Sequence, residues 1–240
     1  MGVIKLLILY GVFYTAYGRE FQLLNKHGKT LWIGIQGNAD KPALEGGGVV
    51  LRAGQRLSIH SADDWAGRFW PRTGCKNNKC RTGDCGKGLK CGGNGGAPPA
   101  SLAEITLKGW GGLDYYDISL VDGANIPISM KPIGGQGDKG KYSCKRAKCS
   151  HNFNKSCPKE LRQKVNGRTV GCKSACLAFN TDQYCCRGAH DKPETCKSTD
   201  WPQNYPKFFK DRCPDAYSYA YDDHKSTFTC NAPTYLITFG

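Results

Sequence analysis

The sequence predicts a mainly β protein, an antiparallel sandwich or barrel, joined to a disulfide-rich region of short helices and a small disulfide hairpin. Two observations support this prediction. Short apolar alternations separated by glycine-rich turns fill most of residues 21–130, and the 240 residues include 14 cysteines and 31 glycines. The chain is 39% hydrophobic and 22% charged, which is typical of a globular protein and excludes disorder.

The predicted strands are short segments in which apolar residues alternate with others. They comprise residues 31–35, 69–70, 105–107, 115–121 and 126–130, and a final segment at 235–239. Glycine-rich breaks separate them at 45–48, 92–99 and 109–112. We expect the final segment to return to the sheet of the first, so that the two ends of the domain belong together.

A second kind of sequence begins near residue 144. Nine of the fourteen cysteines lie between residues 144 and 213, and Cys230 follows. Short helices are predicted at 158–163 and 206–212, where a proline suits the first turn, and at 174–179, where Ser174 is a candidate cap. A smaller cysteine-dense hairpin spans Cys75 to Cys91. Crosslinks rather than a large apolar core should hold these parts.

Residues 1–18 have the layout of a secretory signal peptide. Lys5 precedes an apolar run at 6–17, and the small residues Ala16 and Gly18 follow the pattern of a cleavage site. A run this short does not reach the ~20 residues that a membrane-spanning helix needs. We therefore expect a secreted, extracellular protein of residues 19–240.

The cysteines are expected to pair, because secreted chains meet an oxidising environment. A zinc site is the alternative, but neither Cys75, Cys80 and Cys85 nor the Cys185–Cys186 doublet has a partner block at zinc-finger spacing. We expect no metal and no cofactor. Spacing alone does not fix which cysteines are bonded to each other.

Five blocks of sequence carry a family resemblance. They read Gly67-Arg-Phe-Trp-Pro-Arg-Thr-Gly-Cys75, Cys80-Arg-Thr-Gly-Asp-Cys85-Gly-Lys-Gly-Leu-Lys-Cys91, Ser101-Leu-Ala-Glu-Ile105, Asp117-Ile-Ser-Leu-Val-Asp-Gly123 and Cys213-Pro-Asp-Ala-Tyr-Ser-Tyr219. In this order, across nearly the whole chain after residue 18, they resemble the thaumatin-like (osmotin-type, pathogenesis-related) family. The chain departs from the family pattern at Lys76 and Asn78, where the loop before Cys80 is short.

The resemblance implies a fold with a β-sandwich core at 19–143 and 214–240, a disulfide-rich region at 144–213 and a small hairpin insert at 75–91. It also implies the disulfides Cys75–Cys80, Cys85–Cys91, Cys144–Cys230, Cys149–Cys213, Cys157–Cys172, Cys176–Cys185 and Cys186–Cys196. Plant members usually have sixteen cysteines. The two that are absent correspond to His27 and Gly240, which are partners in the family, so no orphan thiol is expected.

The resemblance further implies an acidic cleft between the sandwich and the disulfide-rich region. Its residues map to Arg68, Glu104, Asp117, Asp122 and Asp222, and for the last position Asp215 and Asp223 are alternatives. Such a cleft implies a defence protein that acts against fungi by binding β-1,3-glucan or another microbial cell-wall polysaccharide. A weak endo-β-1,3-glucanase, with Glu104 as acid and Asp122 as base, is the enzymatic alternative.

The alternative is a purely structural role, in which these carboxylates only cap turns and pair with Arg68. Asp122 precedes Gly123, a pair typical of turns, so it should lie at the end of a strand. Sugar binding is favoured over catalysis, because carboxylates that only hold a sugar need no tuned pKa.

The net charge of +14 allows a second mode of action. Basic residues cluster at Lys139, Lys141, Lys145, Arg146 and Lys148. They form either an ordinary solvated surface or a patch that attracts an anionic membrane surface, which would make the protein membrane-permeabilising. Inhibition of a foreign hydrolase is a further alternative. The secretory route argues against nucleic acid, and we expect a monomer.

Two other groups of residues have possible roles. Asn154 begins the sequon Asn154-Lys-Ser156 and is a candidate for glycosylation. Aromatic residues that can stack on sugars are Trp70, Trp110, Tyr115 and Tyr116, although aromatics at strand positions more often belong to the core. We therefore expect these four in the core.

Overall fold

A computed structural model of the protein describes residues 18–222 and 226–240. The predicted signal peptide, residues 1–18, lies outside the described residues except for Gly18. Within the described part, no helix has the length and apolar character needed to cross a membrane.

Strands dominate this part of the chain, as predicted. They are β1 (Glu20–Asn25), β2 (Leu31–Gly37), β3 (Gly48–Leu51), β4 (Arg56–His60), β5 (Ala66–Arg72), β6 (Leu102–Thr106), β7 (Asp114–Ser119), β8 (Ile128–Ile133), β9 (Ala147–Cys149), β10 (Arg162–Val165), β11 (Arg168–Cys172), β12 (Phe228–Cys230) and β13 (Thr234–Phe239). The helices are α1 (Ala175–Phe179), α2 (Asp182–Cys185) and α3 (Tyr205–Lys210). Each predicted strand overlaps one of those observed.

Two sheets pack face to face around one core. A five-stranded sheet has the order β4-β1-β13-β8-β9, and a six-stranded sheet has the order β12-β7-β6-β5-β2-β3. Aromatic rings from the two inner faces meet, with centroids 5.0 Å apart for Phe21 and Phe69 and 5.5 Å apart for Tyr116 and Tyr235. All four side chains are fully buried. The fold is therefore a sandwich and not a barrel.

The last strand lies in the middle of the five-stranded sheet. β13 pairs with β8 in antiparallel register and with β1 in parallel register, Glu20 facing Thr234. The expectation that the two ends of the domain belong together is confirmed for β1 and β13, although this pair is not antiparallel. A parallel pair is possible here because most of the chain, rather than a tight hairpin, connects the two strands. The first predicted segment, at 31–35, is β2 and lies in the other sheet.

Seven disulfides use all fourteen cysteines. The pairs are those that the family resemblance implies. Cys149–Cys213 and Cys144–Cys230 tie the disulfide-rich region to strands of the sandwich, since Cys149 lies in β9 and Cys230 in β12. Strand β9 belongs to the five-stranded sheet. The predicted boundary at residue 144 assigns this segment to the disulfide-rich region instead of to the sandwich core.

His27 and Gly240, the positions of the absent eighth disulfide, lie next to each other in the fold. A Cβ atom added to Gly240 would lie 2.8 Å from the His27 Cβ atom. The His27 amide donates to the Phe239 carbonyl at 3.1 Å, so backbone pairing joins these segments without a crosslink.

The prediction of a helix at 158–163 is wrong. Only a 3₁₀ turn forms there, at Lys159–Leu161, and the chain continues directly into β10. Strand β10 pairs with β11, with Arg162 opposite Cys172. This hairpin, closed beside the Cys157–Cys172 bridge, overrides the local preference for a helix.

The other two predicted helices form. Ser174 caps α1 by accepting a hydrogen bond from the Leu177 amide at 3.2 Å, as expected. Helix α3 starts one residue earlier than predicted, because Asn204 caps it and Pro206 takes its second position.

The cysteine-rich insert is docked on one end of the six-stranded sheet. The buried guanidinium of Arg72 donates to the carbonyls of Gly88 and Leu89 at 2.7 and 2.6 Å. The buried indole of Trp70 donates to the Gly83 carbonyl at 2.8 Å. These bonds to backbone acceptors fix loops that contain little apolar surface of their own.

The buried carboxamide of Asn125 joins separate segments. Its Nδ2 donates to the Pro71 carbonyl at 2.7 Å and to the Thr82 hydroxyl at 2.9 Å, and its Oδ1 accepts from the Ser101 amide at 3.1 Å. The Asn125 backbone carbonyl accepts a bond of 2.7 Å from Asn154 in the disulfide-rich region. One residue thus connects the sheet, the insert and the disulfide-rich region.

We predict that Asn125→Asp lowers the free energy of unfolding by about 3 kcal/mol, because both Nδ2 donors are lost and a carboxylate faces a buried carbonyl. Urea unfolding with the disulfides intact measures the change. The same chemical change at exposed Asn38 is the control and should stay within about 0.5 kcal/mol of the wild type. Equal effects at the two sites would contradict the joining role of Asn125.

Candidate functional site

Three of the predicted cleft residues form one row across the six-stranded sheet. Arg68 in β5 is paired with Glu104 in β6, and Glu104 is paired with Asp117 in β7. Phe69 and Ile105 point inward to the core, so by the alternation of a strand the row lies on the outer face. The strand register therefore brings these residues together.

Asp122 reaches the row from a turn after β7. The Gly123 amide donates to the Leu120 carbonyl at 2.8 Å, and Gly123 has a φ of +80°, which a turn of this kind needs. The Asp122 carbonyl accepts from the Ala100 amide at 3.1 Å, which fixes the turn. The position expected from the Asp-Gly pair is the one observed.

These residues line an open cleft of about 270 Å³. The floor comprises side chains of β5, β6 and β7, and the opposite wall comes from the segment after Cys213. The lining residues are Arg68, Leu102, Glu104, Asp117, Ser119, Val121, Asp122, Tyr217 and Ala220. Five of these were not predicted as site residues, although all but Ala220 lie in the family-like blocks: Leu102, Ser119, Val121, Tyr217 and Ala220.

The opposite wall is attached to the end of β7. The Tyr217 amide donates to the Ile118 carbonyl at 2.8 Å, and the Leu120 amide donates to the Tyr217 carbonyl at 2.9 Å. The Tyr217 hydroxyl lies 2.5 Å from that of Thr227. The width of the cleft is therefore set by backbone bonds.

The electrostatics of the cleft raise the pKa of two carboxyl groups. Burial raises the pKa of Glu104, and the nearby charge of Asp122 raises it further, while Arg68 and a hydrogen bond with Ser119 oppose the rise. Burial also raises the pKa of Asp122, again opposed by Arg68. The Arg68 Nε and Glu104 Oε1 atoms lie 3.3 Å apart.

This arrangement has two chemical capabilities. Ionised carboxylates and the guanidinium can hydrogen-bond the hydroxyl groups of a sugar. A carboxylic acid that keeps its proton to a higher pH, beside a second carboxyl group, can also protonate a glycosidic oxygen. The Glu104 side chain is 28% exposed, so a ligand in the cleft can reach it.

The structure does not bring Asp222 to this cleft. Its carboxylate accepts from the Ser218 amide at 3.0 Å and from the Ser218 hydroxyl at 2.8 Å, and it lies 2.9 Å from the Lys210 ammonium. Among the described residues, Asp215 does not line the cleft either. Asp223, the other alternative, lies outside the described residues.

The candidate sugar-stacking aromatics divide into two groups. Trp70 and Tyr116 are fully buried, as expected. Tyr115 is half-buried on the outer face. The expectation fails for Trp110, which is 86% exposed, because it lies in a 3₁₀ turn of the β6–β7 connection and not in a strand.

The candidate glycosylation residue is already engaged in the fold. The Asn154 Nδ2 atom donates to Asn125, and its Oδ1 atom is buried. A glycan on Nδ2 would compete with this bond. The basic residues between 139 and 148 are all exposed, which agrees with a solvated surface and leaves them available to an anionic partner.

Comparisons with known proteins identify the family of the chain. The thaumatin family model matches residues 25–240. Pathogenesis-related protein 5 of Arabidopsis thaliana is 49% identical over an alignment of 241 positions, gaps included, which covers 97% of this chain and 96% of that protein. A Prunus avium protein named glucan endo-1,3-beta-glucosidase is 46% identical over 217 residues, covering 87% and 85%.

A solved structure shows the same fold at low sequence identity. It is a GH family 64 laminaripentaose-producing beta-1,3-glucanase from Paenibacillus barengoltzii, with a TM-score of 0.60 and 15% identity, and it covers 94% of this chain and 76% of its own. The family match and the two relatives cover nearly the whole described sequence. The chain therefore belongs to the thaumatin family.

Proposed function

We propose that this chain is a secreted defence protein that binds β-1,3-glucan or a related microbial surface polymer in its acidic cleft and acts against fungi. The observation that carries the proposal is the open cleft in which Arg68, Glu104, Asp117 and Asp122 meet. Seven disulfides fit an oxidising, extracellular location.

The cleft suits a neutral polymer rich in hydroxyl groups. Carboxylates accept hydrogen bonds and the guanidinium donates them. Both the hydrogen and the oxygen of a sugar hydroxyl group therefore have partners in the cleft. The floor is a β-sheet, whose rigid strands hold these groups in place before a ligand arrives. The glucanase name of the relative from Prunus avium supports a β-1,3-glucan as the polymer.

A specific observation favours one alternative, a weak endo-β-1,3-glucanase. Such an enzyme needs a carboxylic acid that is still protonated at working pH, and both Glu104 and Asp122 have raised pKa values. Glu104 would donate its proton to the leaving oxygen, and Asp122 would act as base or nucleophile. Cleavage would weaken as the pH rises through the Glu104 pKa, because the acid would then be ionised.

We predict that the wild-type protein binds linear β-1,3-glucan without releasing reducing sugar. Glu104→Gln and Asp122→Asn should each weaken binding about tenfold, since each loses a hydrogen bond to a charged group. A pull-down and a reducing-sugar assay on the same samples measure both effects.

Glu194→Gln is the matched control, because it removes the same charge at an exposed position outside the cleft, and it should bind like the wild type. Sugar release by the wild type that disappears in both cleft variants would replace binding by the enzymatic alternative. Absence of both binding and release in the wild type would contradict the proposal.

We also predict the direction of two pKa changes at Glu104. Asp122→Asn should lower the Glu104 pKa, because a like charge is removed, and Arg68→Gln should raise it, because an opposite charge is removed. The carbon-13 shift of the Glu104 carboxyl group, followed by NMR against pH, measures the pKa. A Glu104 pKa that moved in neither variant would show that the three side chains do not interact as described.

A further inference from the structure

The outer face of the six-stranded sheet is covered at one end and open at the other. Trp70 in β5 lies under the insert, where its indole nitrogen donates to the Gly83 carbonyl at 2.8 Å. At the end of β7, Ser119 is paired with Tyr217 of the cleft wall. Toward the β6–β7 connection, Thr106 is exposed and Tyr115 is half-buried.

A second row of residues continues the cleft floor in this open direction. Thr106 is paired with Tyr115, and Tyr115 with Thr229 of β12. Tyr115 precedes Asp117 by two residues on one strand, so both lie on the same face about 7 Å apart. The ring of Tyr115 is therefore adjacent to the acidic row.

The connection after β6 presents Trp110 beyond Tyr115. The Tyr115 hydroxyl donates to the Trp110 carbonyl at 3.2 Å, and a Cβ atom on Gly109 would lie 2.7 Å from the Tyr115 ring. The Gly109 amide donates to the Leu113 carbonyl at 2.7 Å and closes the loop. Trp110 is thus held in a defined loop with its indole 86% exposed.

Tryptophan and tyrosine are enriched among the residues that provide most of the energy at binding surfaces. The surrounding charges argue for a neutral ligand. Lys108 forms an ion pair with Asp63, and Lys41 forms one with Asp64. The positive charges of these two lysines are therefore neutralised and do not favour an anionic membrane. A sugar ring has an apolar C–H face and a polar rim, which match the amphipathic rings of tryptophan and tyrosine.

We infer that the acidic cleft continues along the outer face of the sheet into an aromatic subsite, formed by Tyr115 and Trp110, which stacks on further sugar units of the polysaccharide chain held by the carboxylates. This inference rests on the proposed function and extends it. The acidic row binds one part of the chain, and the aromatic subsite makes binding depend on chain length.

The test compares a β-1,3-linked trisaccharide with a hexasaccharide by calorimetric titration of wild-type protein and Trp110→Ala. We expect the wild type to bind the hexasaccharide about fivefold to tenfold more tightly, as one aromatic stacking contact provides. Trp110→Ala should lose this gain and bind the trisaccharide like the wild type. Trp110→Phe should keep part of the gain.

Phe179→Ala is the control, because it truncates another exposed aromatic in the disulfide-rich region and should keep the full gain. Trp110→Ala that retains the wild-type preference for the longer chain would overturn the aromatic subsite and leave the proposed function intact. A wild type that binds neither oligosaccharide would overturn the proposed function and the subsite with it.

Binding of the wild type and of Trp110→Ala to vesicles of neutral and of anionic lipid is measured as well. Vesicle binding that Trp110→Ala abolishes, with oligosaccharide binding unchanged, would assign the exposed indole to a membrane and overturn the inference. Unchanged vesicle behaviour together with the lost length dependence would support it.

Discussion

The buried carboxamide of Asn125 is the interaction on which the geometry of the molecule depends. It satisfies a carbonyl of β5, a hydroxyl of the insert and an amide near the start of β6, while the backbone carbonyl of Asn125 accepts a hydrogen bond from the Asn154 side chain. These groups cannot find water where they lie, so losing Asn125 would leave several of them unpaired. Because Asp122 lies only three residues earlier, the same interaction also helps to fix the turn that completes the acidic cleft.

The cleft combines two sources of rigidity. Its floor is a set of hydrogen-bonded strands, and its wall, at residues 217–220, is tied to β7 by backbone bonds and follows Cys213, which forms a disulfide. A ligand therefore does not have to order either side. This arrangement also keeps three carboxylates close together. The cleft is therefore locally acidic, although the chain as a whole has a net charge of +14.

Much of the fold could be predicted from the sequence, because alternation marks the strands at residues 31–35 and 235–239 directly. The Asp-Gly pair placed Asp122 in its turn for an equally local reason. The row of Arg68, Glu104 and Asp117 is different, since only the register of three strands brings these residues together, and the family resemblance rather than periodicity suggested it. Some expectations were wrong for physical reasons. Pairing with β11 replaced the helix at 158–163, and Trp110 lies in an exposed turn rather than in a strand.

The position of β13 has a consequence for how the chain folds during synthesis. This strand is the central member of the five-stranded sheet, yet it is synthesised after the other twelve described strands. Until then β1 and β8 lack the neighbour that separates them, so both present unpaired edges that favour aggregation. The five-stranded sheet is therefore completed only when β13 enters between β1 and β8, late in the synthesis of the described strands.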